Sequence, residues 1–467
     1  MSQIHRHLVN SGFDSDRAWV QIRNMSKNAT HPELTNQYPA IEGEVFSLRR
    51  LASQMIAGRP LSPKFRVGGR YLFDANHFSI NDGGGSLQLT GPIAEARHGD
   101  ILVIEVEAKS LQAKTELHGK LVGVVSGDLN AQIVCRHKLG SELTTFNSLP
   151  VHRWADFLAQ VRTILVGLGM VEVQTPTLVC NPGMEPELEP FSTNFKNGSQ
   201  HHGLFFATSP ELHLKQLLCR GMTDIFEIKT VFRNEELTPL HEPEFLMLEW
   251  YRAFANLSVI EADLKTLVQT LIERFSGRQA QVSRFTVAEL FALHTGFELA
   301  PATKRQELFD LAAKKGLGPS EKFDFNDIFN LIWVALIEPK LPSEPFLLVD
   351  YPPSQAALAR IGASGWADRC EFYWHGFEIA NAFNELNNPQ EQRARFVHDQ
   401  QKRIEYGRTE LKIDENFMSA LEMGLPPSGG IALGLDRLFM ALYGYKSILA
   451  TRPFGVAHVI RGVAEKK

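Results

Sequence analysis

The stretch that decides the fold runs from Phe226 to Arg252 and reads FEIKTVFRNEELTPLHEPEFLMLEWYR. Apolar and polar residues alternate at both of its ends, as they do in β-strands, where successive side chains point to opposite faces of the sheet. The run of charged residues and prolines between the two ends cannot continue a strand. The sequence therefore predicts a long β-hairpin with an unusually polar face. The polar residues on it and in its loop include Arg233, Glu235, His241 and Glu249.

The composition of the chain is typical of a soluble globular protein without a membrane span. Its 467 residues predict two or three domains, and its 44% hydrophobic and 22% charged content is ordinary. The net charge of −5 gives no electrostatic argument for a nucleic acid partner. The four cysteines lie far apart, which argues against a disulfide framework or a cysteine zinc site and favours a cytoplasmic location. They are Cys135, Cys180, Cys219 and Cys370.

Three regions follow one another along the chain. Residues 1–40 are polar and lack sustained periodicity, so we interpret them as a loosely ordered arm or as short helices. Residues 41–140 contain short alternating segments separated by glycine turns, which predicts a small all-β, barrel-like domain with the OB type as one candidate. In residues 150–467, amphipathic helices mix with strands without regular alternation. The predicted helices include residues 260–272 and about 303–315, a strand is predicted from Phe346 to Tyr351, and the short apolar run Leu331 to Ile337 is expected to be a buried helix. The predicted class there is α+β, with an antiparallel sheet flanked by helices.

Three segments of the third region resemble the motifs of a known family. They are GLGMVEVQTP (residues 167–176), the hairpin with its FRNEE loop, and GGIALGLDRLF (residues 429–439). In order and spacing they are similar to motifs 1, 2 and 3 of the class II aminoacyl-tRNA synthetases. The resemblance implies that residues 150–467 form the adenylate-forming catalytic domain of an ATP-dependent ligase.

Further stretches narrow the resemblance to the lysyl subgroup. TSPELHLKQLL (residues 208–218) and RCEFYWHGFEIANAFNEL (residues 369–386) are similar to that subgroup. They also resemble its branch of elongation factor P lysine ligases, which attach β-lysine to a protein lysine. Ser209, Ala380 and Ala432 favour this branch, because the true lysyl-tRNA synthetases usually have alanine, glycine and glycine there. The methyl group of Ala432 is expected to reshape the amino-acid pocket.

The resemblance implies that the hairpin and motif 3 bind ATP with Mg²⁺. Arginine suits phosphate because its guanidinium donates two parallel hydrogen bonds, so Arg233 is assigned to the α-phosphate and the substrate carboxylate. Arg437 would lie over the adenine or reach the γ-phosphate, and Phe245 would stack on the other face of the base. Glu371 and Glu378 would hold Mg²⁺. The residues implied in ATP binding are Arg233, Asn234, Glu235, His241, Phe245, Glu378, Ile379, Gly434 and Arg437, with the two arginines as catalytic candidates.

The substrate implied by the resemblance is lysine or β-lysine. An alkylammonium group in a partly closed pocket needs carboxylates to offset its desolvation. Glu249 and Glu385, together with the Tyr251 hydroxyl, are therefore expected to hold the side-chain ammonium. Glu211 is expected to hold the second amine, and Asn381 the carboxylate. The pocket would be completed by Ser209, Pro210 and Ala432.

Two departures from the family leave other functions open. The loop from Leu237 to Pro243 lacks the usual basic residue, and Glu242 stands where the family has asparagine. That carboxylate would repel a triphosphate unless it bound a cation or pointed away. The region before residue 150 is absent from the compact ligases, whereas lysyl-tRNA synthetases carry an OB domain there. The favoured acceptor is elongation factor P, and the alternatives are aminoacylation of tRNA and a non-catalytic sensor of lysine-like metabolites. By resemblance, the chain is expected to form a homodimer.

Each of these residue assignments has a plainer structural alternative. Arg233 and Glu235 could form a solvated hairpin tip, and Phe245 could belong to the core. His241 is as consistent with a turn as with a phosphate contact. Two further pairs have such alternatives: Glu371 with Glu378 as an exposed strand pair, and Glu249 with Glu385 as partners of buried arginines.

Overall fold

The computed structural model of the chain describes residues 18–21, 45–46, 64–74, 77–81, 86–89, 101–111, 114–125, 149–452 and 454–456. The chain divides into two compact units. The first comprises Met1–Arg153 with His458–Lys467, and the second comprises Trp154–Ala457. Most of the arm predicted at residues 1–40 lies outside the described residues, and so does Cys135.

The first unit contains one sheet of seven strands. They are β1 (Ala18–Gln21), β2 (Val45–Phe46), β3 (Lys64–Asp74), β4 (His77–Asn81), β5 (Ser86–Leu89), β6 (Ile101–Leu111) and β7 (Lys114–Val125). Their order is β2-β3-β4-β5-β1-β7-β6, and β3 also pairs with β6. Strand β1 lies within the predicted arm and pairs in parallel with β5 and β7. All residues described between 45 and 125 are in strands.

The second unit is built around an eight-stranded sheet in the order β14-β15-β16-β17-β18-β13-β12-β8. Its strands are β8 (Val171–Glu172), β12 (Asp224–Phe232), β13 (Glu244–Ala253), β14 (Ser283–Thr286), β15 (Phe346–Tyr351), β16 (Ala367–Trp374), β17 (Phe377–Asn384) and β18 (Ser428–Gly434). The five central pairings are antiparallel, and only the two edge pairings, β14 with β15 and β8 with β12, are parallel. A second sheet joins β9 (Leu178–Val179), β10 (Ser192–Asn197) and β11 (Gln200–Phe206). The predicted antiparallel α+β architecture of this region is confirmed.

Nine α-helices are described in the range 149–456. They are α1 (Leu149–Gly167), α2 (Glu211–Cys219), α3 (Leu257–Ser276), α4 (Val287–Thr295), α5 (Arg305–Lys314), α6 (Phe325–Ile332), α7 (Pro389–Glu405), α8 (Glu415–Gly424) and α9 (Leu435–Tyr443). The apolar run predicted as a buried helix, Leu331 to Ile337, ends α6 and continues as a π-helix over Trp333–Ile337. Within it, Val334 is 60% exposed, so the run is only partly buried. None of the described helices is both long and apolar enough to span a bilayer.

The two faces of the main sheet have different chemistry. On one face, the apolar stripes of α1, α3 and α9 pack against the sheet and form its largest buried cluster. Leu248 and Trp250 of β13 are fully buried in this cluster. Each large apolar side chain buried in such a layer contributes about 1.5–3 kcal/mol. The intervening residues of β13, such as Glu249, point to the other face, because successive side chains of a strand alternate.

The β-hairpin of residues 226–252 has the predicted form. Strands β12 and β13 pair from Asp224↔Arg252 to Phe232↔Glu244, and the polar loop lies between them. The loop starts at Arg233, whose N–H donates to the carbonyl of Pro243 at 2.8 Å. The hairpin therefore closes at its base and presents residues 234–242 beyond the end of the sheet.

Candidate active site

A row of residues in register crosses the polar face of the main sheet. The pairings Glu371↔Asn381, Asn381↔Ala432, Glu249↔Ala432 and Glu227↔Glu249 join five strands in succession. Residues directly opposite each other on neighbouring strands share a face. The positions predicted to bind the metal (Glu371), the substrate carboxylate (Asn381) and the ammonium group (Glu249) therefore lie along one line. Glu249 and Asn381 are 132 residues apart in sequence.

Arg233 lies at one end of this face with donors that the protein leaves largely uncommitted. Its guanidinium carbon is 5.1 Å from the centre of the Phe245 ring, which is a cation–π distance. Its Nε is buried, and no described residue accepts a hydrogen bond from it. The nearest carboxylate contact is a loose one, at 3.9 Å from Glu236. This arrangement leaves the guanidinium able to donate to phosphate oxygens.

Arg437 and His241 contact each other across the same region. Arg437 Nη1 donates to the carbonyl oxygen of Glu378 at 2.8 Å, and Nη2 lies against His241 Nε2. Because arginine can only donate, His241 Nε2 must accept, so the ring proton is on Nδ1 and is donated to Thr238 Oγ1 at 2.7 Å. Burial and the positive charge of Arg437 lower the pKa of His241, which favours this neutral form. His241 thus makes a turn contact and also faces the motif 3 arginine.

Asn234 and Glu235 shape the loop in this structure. The Asn234 side chain accepts a hydrogen bond from the Glu235 N–H at 3.0 Å, and the Asn234 N–H donates to the carbonyl of Glu189 at 2.7 Å. Glu235 has a φ of +68°, which is uncommon for a residue other than glycine. Its exposed carboxylate pairs with Arg408. Their assignment to ATP stays a prediction.

The two carboxylates predicted to bind Mg²⁺ are close together but differ in environment. Glu371 is 5% exposed and accepts hydrogen bonds from Tyr373 at 2.8 Å, from Tyr351 and from Arg369. The Glu378 side chain is reached by solvent. Desolvation by the surrounding protein and repulsion from Glu371 nevertheless raise its pKa to about 7. Among the described residues, no group of three or more acidic, histidine or cysteine side chains could hold a metal by itself.

Near the other end of the row, Glu249 is a buried carboxylate that pairs with no cation among the described residues. It is 1% exposed, and no described Lys or Arg forms an ion pair with it. Ser209 Oγ donates to its Oε1 at 2.6 Å, and the Tyr251 hydroxyl donates to its Oε2 at 3.1 Å. Burial and then the nearby carboxylate of Glu211 raise the pKa of Glu249 to about 8. A carboxyl held in this way would be stabilised by an ammonium group from a ligand.

Glu385 and Glu211 have a cationic partner that the sequence analysis missed. Lys215 Nζ lies 2.6 Å from Glu385 Oε2 and also contacts Glu211 Oε1. The Lys215 side chain is 1% exposed. The i, i+4 spacing of Glu211 and Lys215 on a helix was the signal that could have revealed the first of these pairs. The plainer alternative in the sequence analysis paired Glu249 and Glu385 with buried arginines. In the structure, Glu385 pairs with Lys215 instead.

Asn381 is oriented by a second residue that was not assigned a role. Arg369 Nε donates to Asn381 Oδ1 at 3.2 Å, and Arg369 Nη1 donates to the carbonyl of Gln355 at 2.7 Å. Since arginine cannot accept, the amide oxygen must face it, and the amide NH₂ is turned the other way. An NH₂ group in that orientation suits a carboxylate ligand.

The remaining predicted pocket residues lie on or beside the polar face. Pro210 is buried at the start of α2, and Gly434 directly precedes α9. Ala432 is half-buried between Glu249 and Asn381. By contrast, the side chains of Ile379 and Ala380 belong to the apolar cluster on the opposite face. A role for Ile379 in ATP binding is therefore limited to its backbone, and Ala380 does not line the pocket.

Glu242, the unexpected carboxylate of the loop, is buried against the segment of Gly455 and Val456. It is 1% exposed, and its Oε2 accepts a hydrogen bond from the Val456 N–H at 2.8 Å. Gly455 lies close beside it, because a Cβ at that position would be 3.1 Å from Glu242 Oε1. The sequence analysis expected no repulsion of a triphosphate if this carboxylate bound a cation or pointed away, and its buried position agrees with the second condition.

Another acidic residue that the sequence analysis did not assign, Glu185, lies between the two ends of the site. Burial and Glu211 raise its pKa, while Arg233 acts in the opposite direction. A Cβ on Gly183 would come within 2.5 Å of Glu185 Oε2, so this glycine is needed for the close approach of the carboxylate. The Glu185 carboxylate is thus close enough to both Glu211 and Arg233 for their charges to affect its pKa.

Comparison with known proteins agrees with this geometry. Residues 152–458 match the family described as tRNA synthetases class II (D, K and N). The elongation factor P–(R)-β-lysine ligase of Vibrio atlanticus is 38% identical over 303 residues, which are 63% of this chain and 91% of the relative. The ligase of the same name from Haemophilus influenzae is 36% identical over 291 residues, 61% of this chain and 88% of the relative. That from Vibrio parahaemolyticus is 38% identical over 315 residues, 65% of this chain and 95% of the relative. The chain belongs to the class II tRNA synthetase family, a family of ligases.

Proposed function

We propose that the protein uses ATP to activate lysine or β-lysine as an aminoacyl-adenylate and transfers it to a lysine of elongation factor P. The observation that carries the proposal is Glu249, a buried carboxylate that pairs with no described lysine or arginine, in contact with Ser209 and opposite Ala432. Ser209 and Ala432 are two of the positions at which the chain resembles the ligases rather than the lysyl-tRNA synthetases. The printed names of the relatives support the same activity.

The proposed chemistry requires charge neutralisation and alignment more than acid–base catalysis. Adenylate formation is the attack of the amino-acid carboxylate on the α-phosphate of ATP with departure of pyrophosphate. The carboxylate is ionised at neutral pH, so the protein need not supply a base. Arg233 offers guanidinium donors to the developing negative charge, and the Asn381 amide can hold the attacking carboxylate. Glu249 and Tyr251 would fix the other end of the amino acid.

Mg²⁺ fits the proposed site through Glu378 rather than equally through both predicted carboxylates. The Glu371 oxygens already accept three hydrogen bonds, whereas Glu378 is open to solvent. Since Mg²⁺ typically uses one or two carboxylates together with substrate phosphates, Glu378 is the stronger candidate for direct contact. When bound, the ion would neutralise phosphate charge. Glu371 would then position Arg369 and the tyrosines beside it.

A second candidate function is the aminoacylation of tRNA. The part of the chain outside the 152–458 match includes the seven-stranded unit, which we propose to be a barrel of the OB type. OB folds bind single-stranded nucleic acid by stacking and by groove electrostatics. The sensor hypothesis rests on the altered loop, which lacks the usual basic residue and carries Glu242; the buried position of Glu242 weakens the part of that argument that concerns its charge.

We further propose that residues 150–467 form a catalytic domain that pairs as a homodimer through motif 1. In or beside the motif 1 segment (residues 167–176), three apolar side chains are exposed, as a pairing surface would require. They are Val166 at 58%, Val171 at 55% and Leu178 at 45%. Light scattering on the purified protein distinguishes a dimer from a monomer.

ATP–pyrophosphate exchange with lysine and with β-lysine tests the proposed activation. Exchange with at least one of them is expected, and its absence with both contradicts the proposal and supports a sensor. The acceptor is tested in parallel, with purified elongation factor P and with bulk tRNA. Label on the factor alone supports protein lysylation, whereas label on tRNA alone supports the synthetase.

The Ala432→Gly variant tests the pocket argument. Ala432 lies directly opposite Glu249 and Asn381, so removal of its methyl group should enlarge the pocket and raise exchange with α-lysine. Ala380→Gly is the matched control, because it removes the same group from the core face of the same sheet. Unchanged selectivity in Ala432→Gly, or an equal change in both variants, would count against the pocket.

A further inference from the structure

The amine end of the site contains three carboxylates and one built-in cation. Glu211, Glu249 and Glu385 converge there, and the Lys215 ammonium contacts the first and the last of them. With all four groups charged, the cluster has two negative charges in excess. Lysine and β-lysine each carry two ammonium groups. The two excess negative charges of the cluster therefore match the two positive charges of these ammonium groups.

Lys215 also determines which carboxylate oxygens remain available. It holds Glu385 by Oε2, at 2.6 Å, while Oε1 of the same group is buried and has no hydrogen-bond partner among the described residues. That free oxygen lies above Gly430, where a Cβ would come within 2.2 Å of it. Both oxygens of Glu249 accept hydrogen bonds, and among the described residues the donors are neutral hydroxyl groups. The pocket thus contains one unpartnered buried oxygen, Glu385 Oε1, and one carboxylate whose described partners carry no charge.

We propose that Lys215 is a positioning residue that fixes Glu211 and Glu385 and so adapts the pocket to a ligand with two ammonium groups. The identity of that ligand as lysine or β-lysine rests on the proposed function. A buried lysine is costly unless it is paired, and here the pairing orders the two carboxylates around it. Without the lysine, three carboxylates would be confined together and would share protons instead of binding two ammonium groups.

The charges around Lys215 come from several elements. The titratable groups that interact with it or with its partners are Glu211 and Cys219 on α2, Glu249 and Tyr251 on β13, Glu185 before β10, and Glu385 after β17. Burial raises the pKa of both Glu249 and Glu385, and the charge of Lys215 opposes that rise. Loss of Lys215 should therefore leave these carboxyls more fully protonated at pH 7. A higher pH would ionise them again.

Calorimetric binding of L-lysine and of β-lysine to the full chain tests the proposal without depending on catalysis. Lys215→Met is expected to bind the preferred amino acid at least about tenfold more weakly than the wild type at pH 7, since one pKa unit corresponds to a factor of ten. Much of that loss should be regained at pH 8.5. Lys215→Arg, which keeps the charge, should retain the pH dependence of the wild type.

Lys229→Met is the matched control for the loss of a buried lysine. Lys229 is as buried as Lys215 but pairs with Glu227 at 3.2 Å and with Thr175. Its substitution should lower stability without changing the pH dependence of binding. If Lys215→Met does not fold, the role of Lys215 is tested by comparing Lys215→Arg with Lys229→Met. A folded Lys215→Arg protein whose pH profile of binding departs from that of the wild type contradicts the charge argument.

The outcomes separate this proposal from the proposed function. A Lys215→Met protein with wild-type affinity, or with a loss that is equal at both pH values, overturns the role of Lys215 even if the wild type lysylates elongation factor P. Wild-type binding of β-lysine without transfer to the factor overturns the proposed acceptor and leaves the role of Lys215 intact. Absence of binding of either amino acid to the wild type overturns both.

Discussion

Alanine at position 430 should block the amine end of the site. Gly430 lies on β18 opposite Tyr251 and Phe383. A Cβ there would be 2.2 Å from Glu385 Oε1 and 2.3 Å from Tyr251 Cε1, whereas ordinary contacts begin at 3.4 Å. Glu385 cannot withdraw freely, because Lys215 holds its other oxygen at 2.6 Å. The added methyl group must therefore displace the pocket residues themselves.

The magnitude follows from the cost of overpacking. Extra methyl groups in a packed site typically cost about 1–3 kcal/mol. If about 1.4 kcal/mol of that cost falls on ligand binding, KM for the amino acid rises about tenfold. Pyrophosphate exchange at varied amino-acid concentration measures KM, and exchange at varied ATP concentration should give an unchanged value for ATP.

Gly429→Ala is the control on the neighbouring residue. A Cβ on Gly429 would be 2.6 Å from Ile260 Cγ1, on the core face, so this variant should lose a similar free energy of unfolding. Its KM for the amino acid should stay at the wild-type value, because the opposite face carries the pocket. A Gly430→Ala enzyme with wild-type KM, or an equal rise of KM in both variants, would refute the reasoning.

Three further predictions concern charge and the loop. Affinity for the amino acid should increase as the pH rises from 7 towards 8. The reason is that the pKa of Glu249 is raised to about 8 and only its ionised form pairs with an ammonium. A flat profile of KM against pH would contradict this. Ser209→Ala removes a hydrogen-bond donor to Glu249, so the rise should move to higher pH, and an unmoved profile would exclude the role of that hydroxyl. Glu242→Ala should lower the free energy of unfolding by about 1–3 kcal/mol, because the partly buried Val456 N–H loses its acceptor. Glu242→Gln should keep most of the stability, and denaturant titration of both variants measures the difference.

Local patterns in the sequence were sufficient for the architecture of the second unit. The alternation in residues 226–252 predicted β12, β13 and the loop between them, because the period of two reflects the pleat of a strand. The strand predicted at Phe346 to Tyr351 has those bounds in the structure. The helices predicted at residues 260–272 and 303–315 correspond to α3 and α5. The π-helical turn after α6 was not predicted, since periodicity does not separate it from an α-helix.

The site was only partly predictable, because its decisive contacts join residues that are distant in the chain. The sequence named Glu249 and Glu385 but not the lysine between Glu385 and Glu211. It raised the question of the charge at Glu242, and only the segment around Val456 answers it, 214 residues away. The amide of Asn381 is likewise oriented by Arg369 on the neighbouring strand.

The sequence by itself determined the chemical types at the site: guanidinium groups in the loop and in motif 3, and carboxylates along the strands. Those types follow from local order, which dictates strand faces and helix starts. Tertiary structure alone decided which carboxylates face a cation of the protein and which are left for a ligand. That choice depends on strand register and on the approach of α2 to the sheet. Both are set by the packing of the whole core and not by any single segment.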